Sequence, residues 1–187
     1  MVNTISEGNK NRLRNKIIQG AKIYDIFLNN KRFLIICEDN SKIEINFFKE
    51  DFKHLTGINS DLSNSEFYKK AVNGTLSSAN ILTEQKYNWA TLKGKSNRIE
   101  KIHEMLYQDA DKTLLIKELA THTNIFPYAI RNDAMNICVA FVSSINRARS
   151  LRKAGSSKDV SKEKSIIQIL MKNNEDDDYK EIIYCKK

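Results

Sequence analysis

The sequence predicts an α+β fold: an antiparallel sheet made by a C-terminal meander, with a helical N-terminal and middle portion. Three observations predict it. Met135, Ile137, Val139 and Phe141 alternate with Asn136, Cys138, Ala140 and Val142, so 134–142 reads as a strand with one strongly apolar face. Residues 173–178 (NNEDDD) are a turn by composition. They separate 166–171 from 179–185, two stretches rich in β-branched and aromatic residues that read as a hairpin. Residues 63–107 hold apolar positions at helical spacing and supply the helices. The 134–142 strand is expected to join the hairpin as a meander.

The elements follow in order. Residues 1–16 are polar and carry Lys10, Arg12, Arg14 and Lys16. They read as a basic arm or an opening helix ahead of one domain over 17–187. The type of 17–27 is ambiguous. Residues 31–38 (KRFLIICE) read as a buried strand and 39–41 as a turn. In 42–48, Ile43, Ile45 and Phe47 alternate with Lys42, Glu44 and Asn46, which predicts a second strand. That hairpin either extends the C-terminal sheet or forms a small second one. Phe52 and Leu55, three apart, mark a helical face in 49–57, and Gly57 suits a left-handed stop. Ser63 and Glu66 have capping-box spacing ahead of a helix carrying Phe67, Tyr68, Ala71 and Val72, ended by Asn73-Gly74. Residues 75–95 are mixed, and 94–97 read as punctuation. Ile99, Ile102, His103 and Leu106 form a helical stripe. Residues 114–120 fit strand or helix, and 125–128 (IFPY) read as a turn toward the long strand. Residues 146–164 read as a polar, basic loop.

The chain has 187 residues, enough for one domain with a sizeable core. Its formal charge of +8 favours polyanionic partners, nucleic acid first, with acidic protein or anionic membrane behind. Cys37, Cys138 and Cys185 lie far apart and match no zinc or disulfide framework, which fits a reducing, cytoplasmic setting. The opening MVNTISEGNKNRLRNK lacks the apolar core of a signal peptide, and no apolar run approaches the ~18 residues of a membrane span. Neither a GxxxxGK[ST] nor a GxGxxG loop is present, so no nucleotide cofactor is expected. No metal is expected either.

Few residues are placed for chemistry. His54, His103 and His122 lack any metal-ligand spacing. His103 falls on an apolar stripe and reads as structural, and His122, in THTN, as a solvated loop residue. His54 sits where a short helix meets a turn directly after a strand, a rim from which side chains point outward. Residues 147–164 hold Arg147, Arg149, Arg152, Lys153, Lys158, Lys162 and Lys164 against Asp159 and Glu163, a net +5, interleaved with Ser150, Ser156, Ser157 and Ser161. Such a stretch either grips phosphate or simply connects two strands. The acidic run 175–178 reads as a solvated turn rather than a cation site. Tyr87 and Trp89, close to Lys86, Lys93 and Lys95, could stack on bases or fill a core.

Several short motifs resemble one family. Residues 51–57, DFKHLTG, resemble its N-F-x-H-L-T-G signature. Glu66-Phe67-Tyr68 and Gly74-x-Leu76 resemble its F-Y…G-x-L stretch, and Ala148-Arg149-Ser150-Leu151 its P-x-S-L element. Residues 167–172 and 179–184 are similar to its I-x-I-x-x-K and Y-x-x-I-x-Y strands. The family is a phage-associated one grouped with the barnase/EndoU/colicin/RelE-like nucleases, and the likeness runs from about residue 18 to the C-terminus. Asp51 stands where asparagine is usual, and the proline before Ser150 is missing.

The resemblance implies a barnase/RelE-like fold of about four antiparallel strands behind helices. It also implies a metal-independent endoribonuclease, a toxin or effector of phage or mobile elements. Carried over, His54 matches the family's histidine, Ser150 its serine and Lys172 its late-strand basic residue. Cleavage would proceed by attack of the 2′-hydroxyl on the adjacent phosphate. His54 would move the proton, Lys172 and Arg149 would stabilise the phosphate charge, and Ser150 would orient it. Tyr184 is a candidate for the second proton transfer. Arg147, Arg149, Arg152, Lys153 and Lys158 would bind RNA. The alternative is an inactive descendant that binds RNA, or a host or immunity protein, for example as an inhibitor of a host defence factor.

Overall fold

The computed structural model describes residues 3–121, 124–142, 145–156 and 162–186. A two-residue strand β1 (Asn3–Thr4) leads into helix α1 (Glu7–Phe27). Ser6 starts α1 by accepting a hydrogen bond from the Asn9 amide. The helix runs unbroken across residue 16, and Leu13, Ile17, Ala21 and Tyr24 make its buried stripe. The hairpin β2 (Lys31–Cys37) and β3 (Lys42–Phe47) follows, as expected. Helices α2 (Lys49–Thr56) and α3 (Asn64–Val72) come next, α3 opened by the Ser63–Glu66 capping box. Strand β4 (Glu84–Gln85) pairs with β1. Helices α4 (Trp89–Ile99) and α5 (Glu104–Tyr107) complete the helical part. Strands β5 (Thr113–Ala120), β6 (Ile125–Asn132), β7 (Ile137–Val142), β8 (Arg147–Arg152), β9 (Glu163–Asn173) and β10 (Glu181–Cys185) end the chain.

The sheet order is β10-β9-β2-β3-β8-β7-β6-β5, and β5 pairs back onto β9. Seven described strands therefore close into a barrel, with β10 hanging from β9 outside the ring. This overturns the open C-terminal meander, and with it the expected four-stranded antiparallel sheet. The β9–β10 hairpin is present, but β7 does not join it. Strand β9 gives one edge to β2 and divides the other, with β5 at 163–165 and β10 at 168–171. Closure also needs a parallel contact, Asn46↔Arg147 between β3 and β8; the other pairs among the described strands are antiparallel. Asn146, at φ 45°, turns the chain into that contact, and its side-chain amide donates to the Glu44 carbonyl at 3.0 Å.

Smaller expectations also change. Residues 147–152 are a strand, not part of a loop; a bulge between 148 and 150 breaks the alternation that would have revealed it. Residues 125–128 belong to β6 rather than a turn. Pro127 precedes the first β6–β7 pair, Tyr128↔Phe141, so its missing N–H breaks no bond of that ladder. Gly94 lies inside α4, and the stripe over 99–106 is split by a turn at 100–103. Residues 114–120 are strand.

One face of the barrel strands and the helices share the main core. Tyr24 stands at its centre, edge-on to Phe47, Phe52 and Tyr68, with its hydroxyl donating to the Phe48 carbonyl at 3.0 Å. Phe47 continues the chain of rings to Phe33 and Phe141. The opposite face of β5–β7 holds a smaller cluster, including Ile116, Phe126, Cys138 and Ala140. Strand β7 is thus apolar on both faces, which explains its continuous hydrophobic run.

Candidate active site

Helix α2 starts directly off β3 and is short because Gly57 stops it. Gly57 sits at φ 72°, and its N–H reaches the carbonyls of Lys53 and His54. Glu50 and Asp51 in the first turn and Lys53 and His54 in the last both suit the helix dipole. Phe52 and Leu55 bury the inner face, so His54 falls on the outer face of the last turn, exposed. The side-chain amide of Asn64, in the first turn of α3, donates to His54 Nε2 at 3.2 Å. That bond leaves the ring proton on Nδ1 and the lone pair on Nε2. Lys53 next to it is tied to the Ser60 carbonyl at 3.3 Å and to the Leu62 carbonyl.

Strand β8 packs beside α2 and brings the arginines to His54. Packing around the imidazole, joined by the charges of Arg149, Lys53 and Arg147, pushes its pKa below the ordinary histidine range. Arg149 is exposed and is the extra residue of the β8 bulge. The bulge separates it from Ser150, which pairs with Ala140 and faces the other way with Arg152.

Arg147 has a structural tie that the charge run does not advertise. Its Nε donates to both oxygens of Asp51, at 2.9 and 3.2 Å, and its Nη2 lies 2.7 Å from Oδ1. Asp51 is buried; burial pushes its carboxyl up, and the guanidinium pulls it back. The pair clamps α2, which carries His54, to β8, which carries Arg149. Arg147→Ala should destabilise the protein by about 2–3 kcal/mol, because it strands a buried carboxylate behind a half-exposed partner. Urea unfolding checks this. Adding Asp51→Asn should recover part of the loss, since the neutral amide leaves no buried charge.

The other half of β8 faces a second feature. Ser150, Arg152 and Lys153 line a cleft of about 620 Å³ against the first turn of α4. Lys86, Lys95 and Arg98 enter the same cleft, beside Tyr87. Lys95 is 8% exposed and donates to the Leu151 carbonyl at 2.6 Å. Arg98, Asn64 and Asp51 carry no signal for chemistry in the sequence, and Lys95 is signalled only by the basic–aromatic interleaving of 86–95. Tyr87 and Trp89 both pack against the core, the second of the two alternatives the sequence leaves open.

Lys172 lies elsewhere. It follows a row across the sheet, Lys172–Arg32–Asn46–Arg147, three strand spacings or roughly 14 Å from Arg147 along the sheet. Its ammonium donates to the Asp177 carbonyl at 2.9 Å and stands over the Tyr179 ring, tying down the 173–178 turn. Tyr184, on β10 beyond it, packs against the main core. His103 stacks on Phe27, ring centroids 4.6 Å apart. Lys158 and His122 lie outside the described residues.

Among the described residues no group of three or more His, Cys, Asp or Glu side chains is placed to hold a metal ion. No helix among them is long and apolar enough to cross a membrane. A family model described as phage-Barnase-EndoU-ColicinE5/D-RelE like nuclease4 matches residues 16–187. No curated protein and no solved structure matches the chain.

Proposed function

We propose that this chain, which belongs to the phage-associated barnase/EndoU/colicin E5-D/RelE-like nuclease family, cleaves RNA without a metal, at the junction of α2 and β8. The observation that carries this reading is an exposed imidazole, His54, held beside Arg149 by the Asp51–Arg147 clamp. A ring biased toward its neutral form is a base near neutral pH.

His54 Nε2 would accept the proton of a 2′-hydroxyl, which takes the place of the Asn64 amide as donor. The 2′-oxygen then bonds to the adjacent phosphorus, and the bond from phosphorus to the 5′-oxygen breaks. The leaving oxygen is protonated from solvent, which reaches the site because His54 and Arg149 are both exposed. Arg149 would counter the charge that grows on the non-bridging oxygens. Lys172 and Tyr184 have no part in this mechanism.

The pH dependence follows from the direction of the His54 shift. Only the neutral ring accepts a proton, so the rate should rise with pH and level off. Its half-maximum should lie below the ordinary histidine value of about 6.5. A pH–rate profile of kcat/KM on a single-stranded RNA tests this. A limb centred well above that value would mean that another group is the base.

A further inference from the structure

We propose that the cleft between the first turn of α4 and the end of β8 is a second phosphate subsite, which holds a backbone phosphate of single-stranded RNA further along the same strand from the one at His54. This subsite rests on the nuclease reading above for the strand at His54 and adds a path for that strand, but binding in the cleft does not itself require cleavage.

The charge pattern comes first. Lys86, Lys95, Arg98, Arg152 and Lys153 line the cleft, with Arg98 Nε donating to the Asn136 carbonyl at 2.9 Å and the Arg152 guanidinium over the Phe126 ring, and no Asp or Glu among the described residues lines it. Buried ammonium groups are normally paired with a carboxylate. Lys95, nearly fully buried, has instead the Leu151 carbonyl as its hydrogen-bond acceptor. Burial and the charges of Arg152, Arg98 and Lys86 push its pKa down to about 8. A cluster of this kind is relieved by a bound anion.

The architecture comes second. The Tyr87 ring centroid lies 5.7 Å from the Lys86 ammonium and 5.4 Å from the Lys95 ammonium, so an aromatic ring joins the two cations in the cleft wall. The Ser150 hydroxyl accepts from Arg152 Nε at 3.0 Å and adds a polar group to the wall. A Cβ on Gly57 would come within 2.9 Å of Lys95 Cδ and 3.1 Å of Tyr87 Cε2. The glycine that ends the helix of His54 therefore also lets the Lys95 stem pass, and joins the cleft to the active site. From Arg149 to Lys153 the chain covers about 13 Å. That track suits a polynucleotide backbone better than a small free phosphate, which would fill the cleft alone.

The test uses the intact protein and a short 2′-O-methyl oligonucleotide, which lacks the attacking hydroxyl and is not cleaved. Affinity is read by fluorescence anisotropy across a salt series. Lys95→Met and Lys86→Ala should each weaken binding about tenfold. Each should reduce the salt slope by about 0.7, the value for one single-strand phosphate contact. Lys172→Ala, outside the track, should bind like wild type. Calorimetry at pH 8 in two buffers should show uptake of about half a proton on binding, absent in Lys95→Met. Lys86 is exposed, so its variant keeps the test decisive even if Lys95→Met misfolds. Unchanged affinity and slope in Lys86→Ala, or a wild type that binds no oligonucleotide, would overturn the subsite. So would inorganic phosphate competing as well as the oligonucleotide does. Cleft-dependent binding without RNA cleavage would sink the nuclease reading and leave the subsite standing. Cleavage with normal binding in both variants would do the reverse.

Discussion

His54→Ala is expected to lose roughly 10²–10⁴ in cleavage rate, the usual worth of a positioned general base. The loss should appear in kcat, because the imidazole acts on the proton in flight rather than on the resting RNA. The fold should survive. His54 is on the outer face of α2, and the residues that anchor that helix, Phe52 and Leu55, are untouched. Its bond to Asn64 lies on the surface and contributes little to stability. Circular dichroism and a urea melt close to wild type would separate loss of the base from loss of the fold. An unfolded His54→Ala would make the histidine structural instead.

Arg149→Gln should follow with a loss of about 10²-fold, the scale for removing one donor to a developing oxyanion. A second readout comes with it. Arg149 is the foremost of the charges that hold the His54 pKa down, so its removal should move the acid limb of the pH–rate profile upward. A merely structural arginine would lower the rate without moving that limb. Lys172→Ala should leave the rate within about threefold, since its ammonium is engaged at the far end of the row by Asp177 and Tyr179. Surface substitutions of that kind are usually small in effect.

Much of the local structure is legible in the sequence. The Ser63–Glu66 box, the Gly57 stop and the β2–β3 and β9–β10 hairpins are all local, set by a few neighbouring residues. The barrel is not legible. Alternation tells which face of a strand is apolar and says nothing about which strand lies beside it. The closing pair β5–β9 joins segments some fifty residues apart, and the β3–β8 contact rests on one parallel bridge. Strand β8 is hidden by its own chemistry. Three arginines and a bulge leave only Ala148 and Leu151 as inward positions, three apart instead of two.

The candidate site divides in the same way. His54 is visible because helix signals place it on a rim. Arg147 and Arg149 are visible as charge, but their different roles are not. One is spent on Asp51 and the other adds its charge near His54, and that depends on how α2 packs against β8. Lys95 shows in the sequence only as a neighbour of Tyr87 and Trp89, and its burial is not legible, because 94–97 reads as punctuation until α4 is seen beside the end of β8.

The most direct test is end-group analysis of RNA treated with purified protein in EDTA. A chain that uses 2′-hydroxyl attack leaves 2′,3′-cyclic phosphate and 5′-hydroxyl ends, and it spares the same RNA carrying a single 2′-deoxy residue at the cut. Intact RNA, or 3′-hydroxyl ends that form as readily at the deoxy position, would contradict the account.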